Sequence, residues 1–501
     1  MQRNRALASV LTGLTGMVLI LALWSDTLSA QMNWKTAAYT PTWKSIIQHP
    51  TPDWFRDAKF GIYFHWGVYS VPAFGNEWYP RNMYRKGTPE FEHHRETYGP
   101  QSDFGYKDFI PDFTAAKFDA DRWVDLFVKA GAKFIGPVAE HHDGFSMWDS
   151  KLTEWDAKDM GPKQDIVGEL ATAARKRGLR FMVSFHHAFD WKYYEPAFQY
   201  DAKDPRYAGL YGQPHFPGTP ESQAFLEDWL GKIVEVIDNY QPDYIWFDFG
   251  WGQPTFEPYK RTFLSYYYNK AEEWGKNVVV TYKHTDLPLG AGVLDLERGR
   301  LDSLRKDPWI TDTSIDRKSW CYITDPDYKD LNTLVDNIVD RVSKNGNTLM
   351  NIAPRPDGTI PQAQQDLLLG IGAWLDVNGE AIYGTRPWYK YGEGPTQMQG
   401  GSFSERNEVK YTARDIRFTT KGNTLYAIAL DWPGDQITIQ SLGQLDASRI
   451  QSVSLLGNKG DLQWNQTTGG LQINLPGKRP CDNAYAFKIV YGERLPRSAN
   501  E

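Results

Sequence analysis

Eight short apolar runs rich in β-branched and aromatic residues recur between residues 60 and 353, and most alternate with longer segments of helical periodicity. This alternation is typical of a parallel sheet whose strands are connected by helices. The eight units predict a (β/α)8-like barrel, slightly degenerate because the stretch between the fifth and seventh strands is too short for full crossover helices. The predicted strands are Phe60–Trp66, Phe134–Glu140, Arg180–His186, Tyr244–Asp248, Asn277–Lys283, Val293–Glu297, Trp309–Ser314 and Thr348–Ala353.

Helices are predicted where apolar residues recur on one face. Such segments are Asp121–Ala130, Asp165–Arg177, Ser222–Tyr240, Asn332–Lys344 and Pro361–Asn378. From about Trp388 alternating strands and turn residues replace this pattern, which predicts a C-terminal β-sandwich. The expected fold class is therefore α/β, with a barrel over residues 31–387 and a sandwich over residues 388–501.

The N-terminal residues follow the pattern of a secretory signal peptide. Arg3 and Arg5 precede an apolar run over residues 6–24, and the small residues Ser29 and Ala30 follow. A membrane anchor is the alternative, because the run approaches the length of a bilayer span. We expect a signal peptide over residues 1–30, no stable membrane anchor, and a mature chain in the periplasm, outside the cell or in a lysosome-like compartment.

Composition restricts the classes of partner. A formal net charge of −7 and a pI near 5.9 argue against a nucleic-acid partner, which needs a basic surface. The 20 Trp, 28 Tyr and 25 Phe residues suit the packing of sugar rings in a cleft, with plain core as the alternative. The two cysteines, Cys321 and Cys481, are expected to be unpaired thiols. A homo-oligomer remains open.

The predicted strands end in unusually reactive residues, and in a barrel of this type the active site lies at the C-terminal ends of the strands. In strand order these residues are His65, His141 and His142, His186 and His187, Asp248, Lys283 and His284, and Glu297. Asp248 directly follows an apolar run, so its charge is costly unless it is used or paired. It is a candidate nucleophile, and the alternative is an acid that caps the turn around Gly250.

Glu297 is the candidate partner carboxylate for Asp248. Glycosidases that retain configuration need two carboxylates about 5 to 5.5 Å apart, one as nucleophile and one as general acid/base. Alternation along a strand aims Asp295 to the same side as Glu297, so Asp295 competes for the second role. A surface ion pair of Glu297 with Arg298 or Arg300 is the other alternative.

The histidines admit a metal site, because many barrel hydrolases bind zinc through imidazoles at strand ends. We expect no metal, since zinc sites usually use His-x-His, whereas His141 and His142 are adjacent and diverge if the strand pattern continues. Sugar hydroxyls are the preferred partner, because neutral imidazole both donates and accepts a hydrogen bond.

Eight further motifs carry a family resemblance. They are "WFRDAKFGIYFHWGVYSVPAFGNEWY", "AEHHDGFSMWDSKLTEWDA", "DIVGELATAARKRGLRF", "PDYIWFDF", "VLDLERG", "PWITDTSIDRKSWCY", "VSKNGNTLMNIAPRPDGTI" and "LDVNGEAIYGTRPW". From Trp54 to Trp388 the chain resembles the α-L-fucosidases of glycoside hydrolase family 29. The resemblance implies a catalytic barrel with a C-terminal sandwich, double displacement with net retention, a fucosylated glycan as substrate, and no cofactor.

The resemblance also implies roles for single residues. Asp248 falls on the family's nucleophile, and its "E-R-G" segment favours Glu297 as the general acid/base. The expected substrate-binding residues are His65, Glu77, Trp78, His141, His142, His186, Trp246, Lys283 and Trp320, with the three tryptophans forming an apolar wall for the methyl group of fucose. The alternatives are a glycosidase for a related sugar such as galactose and a non-catalytic sugar-binding protein.

Three positions depart from the family pattern. Lys283 stands where many relatives have Arg, and Phe185 with His186 stands where many have Tyr. Ile310 follows Trp309 where some members have a Trp-Glu pair. That acid is absent here, which favours Glu297.

Overall fold

The computed structural model describes residues 36–443, 447–492 and 495. The predicted export signal lies outside these residues. Within them, none of the helices combines the length and the apolar character that crossing a bilayer requires. Cys321 and Cys481 are both free thiols, as expected.

Eight parallel strands close into a barrel in chain order, with the first strand hydrogen-bonded to both the second and the eighth. The predicted barrel is confirmed, and every predicted strand overlaps an observed one. The strands are β1 (Phe60–Phe64), β2 (Phe134–Glu140), β3 (Arg180–Phe185), β4 (Tyr244–Phe247), β5 (Val279–Lys283), β6 (Val293–Asp295), β7 (Trp309–Ser314) and β8 (Gly346–Ile352).

Helices connect most of the strands, and polar caps start several of them. The helices are α1 (Trp43–Ile46), α2 (Asp53–Ala58), α3 (Tyr79–Asn82), α4 (Pro89–Thr97), α5 (Ala120–Lys129), α6 (Ile166–Lys176), α7 (Asp190–Tyr193), α8 (Ala208–Tyr211), α9 (Gln223–Tyr240), α10 (Glu257–Trp274), α11 (Leu331–Ser343) and α12 (Gln362–Asn378). Asp119, Asp165 and Ser222 each accept a hydrogen bond from the first turn of the helix that follows. All five predicted helices are present. Helix α10 was not among them, because tyrosines and charged residues interrupt its apolar face.

Apolar side chains fill the barrel interior and form the floor beneath its C-terminal end. The interior cluster comprises Phe55, Ala58, Tyr63, Phe134, Met182, Tyr244, Trp246, Val279, Val293, Ile310, Trp320 and Leu349. A filled interior is the general rule for barrels of eight strands, so polar chemistry is confined to the rim.

The predicted C-terminal sandwich is confirmed as two antiparallel sheets with their own core. The strands are β9 (Arg386–Glu393), β10 (Ile416–Lys421), β11 (Thr424–Ala429), β12 (Gln436–Ile439), β13 (Ile450–Leu455), β14 (Trp464–Thr467), β15 (Gly470–Asn474) and β16 (Tyr485–Tyr491). One sheet has the order β13-β16-β11-β10-β9 and the other β12-β15-β14. Buried charges join the sandwich to the barrel, because Asp340 on α11 accepts from Arg417 Nε on β10 at 2.7 Å.

Candidate active site

A cavity of about 690 Å³ opens at the C-terminal ends of the barrel strands. All eleven residues predicted for the site line it. They are His65, Glu77, Trp78, His141, His142, His186, Trp246, Asp248, Lys283, Glu297 and Trp320. The convergence of parallel strand ends at one rim accounts for those at the strand ends, whereas Glu77, Trp78 and Trp320 reach the cavity from the connections after β1 and β7.

Asp248 follows β4 directly and is buried at the cavity floor. Its Oδ2 atom lies 3.0 Å from His186 Nδ1 and 3.3 Å from His142 Nε2. Lys283 Nζ contacts Oδ1 at 2.8 Å as an ion pair, but Oδ1 accepts no directed hydrogen bond from the described residues. Burial alone raises the pKa of the Asp248 carboxyl, yet Lys283 and the two imidazoles outweigh it and hold this pKa well below its usual range.

Lys283, at the end of β5, bridges Asp248 and Glu297. Its Nζ atom lies 2.7 Å from Glu297 Oε2 and 3.6 Å from Asp312 Oδ2. Burial lowers the pKa of the ammonium, but the surrounding carboxylates raise it well above its usual range, so the group stays charged. Asp248 Oδ1 and Glu297 Oε2 are at most 5.5 Å apart, the sum of their 2.8 Å and 2.7 Å contacts with this one nitrogen.

Glu297 and Asp295 occupy different environments, although strand alternation aims both side chains to the same side. Glu297 lines the cavity, and its side chain is 17% exposed. Asp295 is buried below the cavity, where Oδ2 accepts from Trp246 Nε1 at 2.8 Å and Oδ1 accepts from the Asp312 amide at 2.9 Å. Both oxygens of Asp295 are therefore already engaged with the protein.

The main chain of Glu297 is held by a stretch of the C-terminal region, residues 401–406, which we call the bracing segment. The Phe403 amide donates to the Glu297 carbonyl at 2.7 Å, and the Glu405 amide donates to the Arg298 carbonyl at 3.0 Å. Arg298 has a φ of 43°, in the left-handed region that such residues rarely adopt, so the chain turns sharply immediately after Glu297. The bracing segment thus fixes the turn that presents the Glu297 side chain.

Glu405 anchors the bracing segment to the barrel. Its carboxylate accepts from Thr313 Oγ1 at 2.8 Å and from Lys329 Nζ at 2.5 Å, and it also pairs with the Arg341 guanidinium. Burial raises the pKa of the Glu405 carboxyl, but the two cations outweigh it and lower this pKa to about 2. The anchor is therefore ionised over the whole physiological pH range.

Three buried histidines, His65, His141 and His186, form a neutral rim beside Asp248. His65 lies within hydrogen-bonding distance of Asn351, with Nδ1 and Oδ1 2.8 Å apart. Burial is the main reason that the pKa values of His65 and His141 lie well below the usual range and that the pKa of His186 falls to about 4. Neutral imidazoles keep one donor and one acceptor each, as hydroxyl recognition requires.

The expected divergence of His141 and His142 is wrong. Strand β2 ends at Glu140, so strand alternation does not extend to them; both line the cavity, with ring centroids 4.7 Å apart. The geometry would also accept a metal ion: ligand atoms of His65, His141 and His186 lie within 4.8 Å of one another, as do those of His142, His186 and Asp248. In the set of His142, His186 and Asp248, the Lys283 ammonium already balances the negative charge of the Asp248 carboxylate.

Aromatic rings and a buried acid complete the walls. Glu77 accepts from the Trp320 amide at 3.0 Å, and burial raises its pKa to about 7. The Arg298 guanidinium lies 4.4 Å above the Trp320 ring. Trp78 stacks with Phe249, and Trp246 is fully buried.

Several lining residues were not predicted. Asp312 lies within β7, which is buried on both faces, so alternation gave no signal for it. Lys329 and residues 403–411 come from a loop and from the C-terminal region, and no local pattern places them at the barrel rim.

Comparisons with known proteins agree with this architecture. Residues 27–380 match the family model described as Alpha-L-fucosidase, and residues 408–490 match the Alpha-L-fucosidase C-terminal domain. The rat tissue alpha-L-fucosidase is 35% identical over 473 residues, covering 90% of this chain and 92% of the relative. The human plasma alpha-L-fucosidase is 33% identical over 474 residues, covering 90% and 92%. The crystal structure of Thermotoga maritima alpha-fucosidase in complex with fucose is 32% identical with a TM-score of 0.74, covering 90% of this chain and 100% of that chain. The fold and these matches together show that the chain belongs to the α-L-fucosidase family of glycoside hydrolases.

Proposed function

We propose that this enzyme releases terminal α-L-fucose from glycans with net retention of configuration, by double displacement between Asp248 and Glu297. The observation that carries the proposal is the ammonium of Lys283, which limits the two facing carboxylate oxygens to a separation of at most 5.5 Å, the sum of its 2.8 Å and 2.7 Å contacts. Retaining glycosidases have their carboxyl groups about 5 to 5.5 Å apart, whereas inverting enzymes leave about 6.5 to 9.5 Å for a water molecule.

Each carboxylate suits a different role. The low pKa of Asp248 keeps it ionised. We assign its Oδ1 atom, which lies 2.8 Å from Lys283 Nζ but accepts no directed hydrogen bond from the described residues, to the attack on C1 of the fucosyl ring. Glu297 is exposed to the cavity, where it would first protonate the departing oxygen and then activate water against the fucosyl-enzyme. Engagement of both Asp295 oxygens supports this choice.

The residues that line the cavity favour fucose, which has a methyl group at C5, over a sugar with a polar substituent there. Neutral His65, His141 and His186 offer donors and acceptors to ring hydroxyls, while Trp78 and Trp320 supply apolar surface for the methyl group. The complex of the Thermotoga maritima relative with fucose supports the same specificity. The chain keeps both carboxylates, Asp248 and Glu297, and both contact the Lys283 ammonium. This pair argues against a non-catalytic sugar-binding role.

Export is proposed from the N-terminal pattern and from relatives named as plasma enzymes. In a host that processes the signal, the mature protein should begin near residue 30 and be recovered from the periplasm or the medium. Intact-mass measurement and N-terminal sequencing of the secreted fraction check this. Recovery of the full-length chain in the membrane fraction would instead indicate an anchor.

The nucleophile is tested by Asp248→Gly. Because no other group can form the fucosyl-enzyme, turnover should fall by about four orders of magnitude or more, and added azide should restore part of it by yielding β-L-fucosyl azide. Proton NMR of the wild-type reaction should show α-L-fucose first, with or without a chelator. First appearance of the β anomer, or inactivation by the chelator, would contradict the two-carboxylate mechanism.

The general acid is tested by leaving-group dependence, because a good leaving group departs without protonation. Glu297→Gln should cleave a fucosyl-oligosaccharide far more slowly, yet lose much less in the glycosylation step with fucosyl fluoride. Asp295→Asn is the matched control and should lack this selectivity. If the selectivity appeared only in Asp295→Asn, the acid/base role would belong to Asp295.

The bridging cation is tested by Lys283→Met, with Lys283→Arg as the charge-preserving control. Lys283 lowers the pKa of Asp248, so its loss raises that pKa and moves the acid limb of the kcat/KM profile to higher pH. The maximum should fall on the order of 100-fold, the usual cost of losing one electrostatic contact in an active site. Lys283→Arg should keep the acid limb close to that of wild type. An unmoved limb in a folded Lys283→Met variant would show that Lys283 does not control the ionisation of Asp248.

A further inference from the structure

Three histidines from three neighbouring strands lie close together in the cavity. His65 directly follows β1, His141 follows β2 and His186 follows β3, and one nitrogen atom of each lies within 4.8 Å of the other two. Their ring centroids are 4.6, 5.0 and 5.4 Å apart. We call these three residues the histidine cluster. Three imidazoles at this spacing can serve as ligands to a single metal ion.

The hydrogen bonds of Asn351 determine which nitrogen of His65 carries the proton. Asn351 Nδ2 donates to the Trp320 carbonyl at 2.7 Å, so the Oδ1 atom of this amide is the one that faces His65. Oδ1 can only accept, and His65 Nδ1, which lies 2.8 Å away, therefore donates to it. The lone pair of the neutral His65 imidazole is thus on Nε2.

Asp248 has the same effect on His186. The ionised carboxylate lies 3.0 Å from His186 Nδ1, which therefore donates and leaves the lone pair on Nε2. This Nε2 atom is buried and has no hydrogen-bond partner among the described residues, and the same holds for His141 Nδ1. Metal-binding histidines usually have this arrangement, in which the other ring nitrogen donates to a carboxylate or a carbonyl oxygen. His65 and His186 thus each present an oriented electron pair.

The histidine cluster favours one class of ion. Imidazoles suit zinc, copper and nickel, whereas magnesium and calcium take oxygen ligands. Burial lowers the pKa of all three imidazoles below the usual range, so they are in the neutral form that binds metal. Zinc–nitrogen bonds are about 2.0 to 2.1 Å long, so each imidazole has to move by about 1 Å or less to reach a shared ion.

We propose that the histidine cluster is an inhibitory site for zinc or a similar divalent cation, which His65, His141 and His186 bind in the space that the proposed function gives to the fucosyl ring. The ion takes no part in the reaction. It occupies the electron pairs that would otherwise accept from sugar hydroxyls, so metal and sugar exclude each other. The metal site depends on the three histidines alone, whereas its competition with sugar rests on the proposed function.

Zinc chloride is the probe for the wild-type protein. Isothermal titration calorimetry should show zinc binding that disappears in saturating L-fucose. With an aryl α-L-fucoside as substrate, zinc should raise KM without lowering kcat, and a chelator should reverse this effect. Magnesium chloride at the same concentration should neither bind nor inhibit, because it requires oxygen ligands. A wild type that binds no zinc, or that zinc inhibits by lowering kcat at unchanged KM, would overturn the proposal.

The ligands are tested by His141→Gln, with His65→Gln as a second variant in case the first does not fold. Calorimetry measures zinc affinity independently of turnover, and this affinity should fall about tenfold or more, because even the loss of a group that only orients a metal ligand costs this much. His284→Asn is the matched control, since His284 is exposed after β5, does not line the cavity, and has a φ of 53° that Asn tolerates.

The control should bind zinc as the wild type does. Undiminished zinc affinity in folded His141→Gln and His65→Gln, or its loss in His284→Asn, would place the ion elsewhere and overturn the site. If zinc bound through His141 but L-fucose did not compete, the sugar-binding role proposed for these histidines would be wrong, whereas the metal site would remain.

Discussion

One buried ammonium group holds together the carboxylates of the candidate active site. Lys283 lies 2.8 Å from Asp248, 2.7 Å from Glu297 and 3.6 Å from Asp312, with Asp295 directly below. A single cation cannot neutralise four ionised carboxyls in a site of low dielectric. Burial resolves the excess by raising the pKa of Asp295 and by raising that of Asp312 well above its usual range, while the ammonium keeps Asp248 ionised. Asp295 and Asp312 thus have structural roles, and Asp248 and Glu297 remain for the proposed chemistry.

The same burial sets the character of the rim that we propose binds the sugar. The apolar barrel interior ends at Trp246, and imidazoles close above it, so charge on His65, His141 or His186 is disfavoured. A rim of neutral donors and acceptors around one anionic carboxylate suits a neutral ring that develops positive charge at its anomeric carbon. In the proposed mechanism, recognition of the hydroxyls and stabilisation of the transition state therefore both depend on this burial.

The barrel and the site residues at its strand ends were predictable because parallel strands bring their C-terminal ends to one rim, whatever the loops do. Glu77, Trp78 and Trp320 lie outside the strands and were expected only from the family resemblance. The choice between Asp295 and Glu297 as general acid/base was not predictable from strand alternation. Alternation aims both side chains inward, and they differ only in their position along the strand. The orientation of His141 and His142 depended on where β2 stops, and strand boundaries are the least reliable part of such predictions. Contacts across about a hundred residues, such as Phe403 with Glu297, leave no local signal.

The bracing segment has a consequence for how such enzymes evolve. Residues 401–406 belong by sequence to the chain that builds the sandwich, yet their amides hold the carbonyls of Glu297 and Arg298. Strand β6 is only three residues long, so the barrel alone gives this turn little support. The candidate active site therefore straddles the boundary between the two folds. Exchange of the C-terminal region by recombination would remove the amides that hold the turn after Glu297, so this region acts as part of the candidate site and is not a separable appendage.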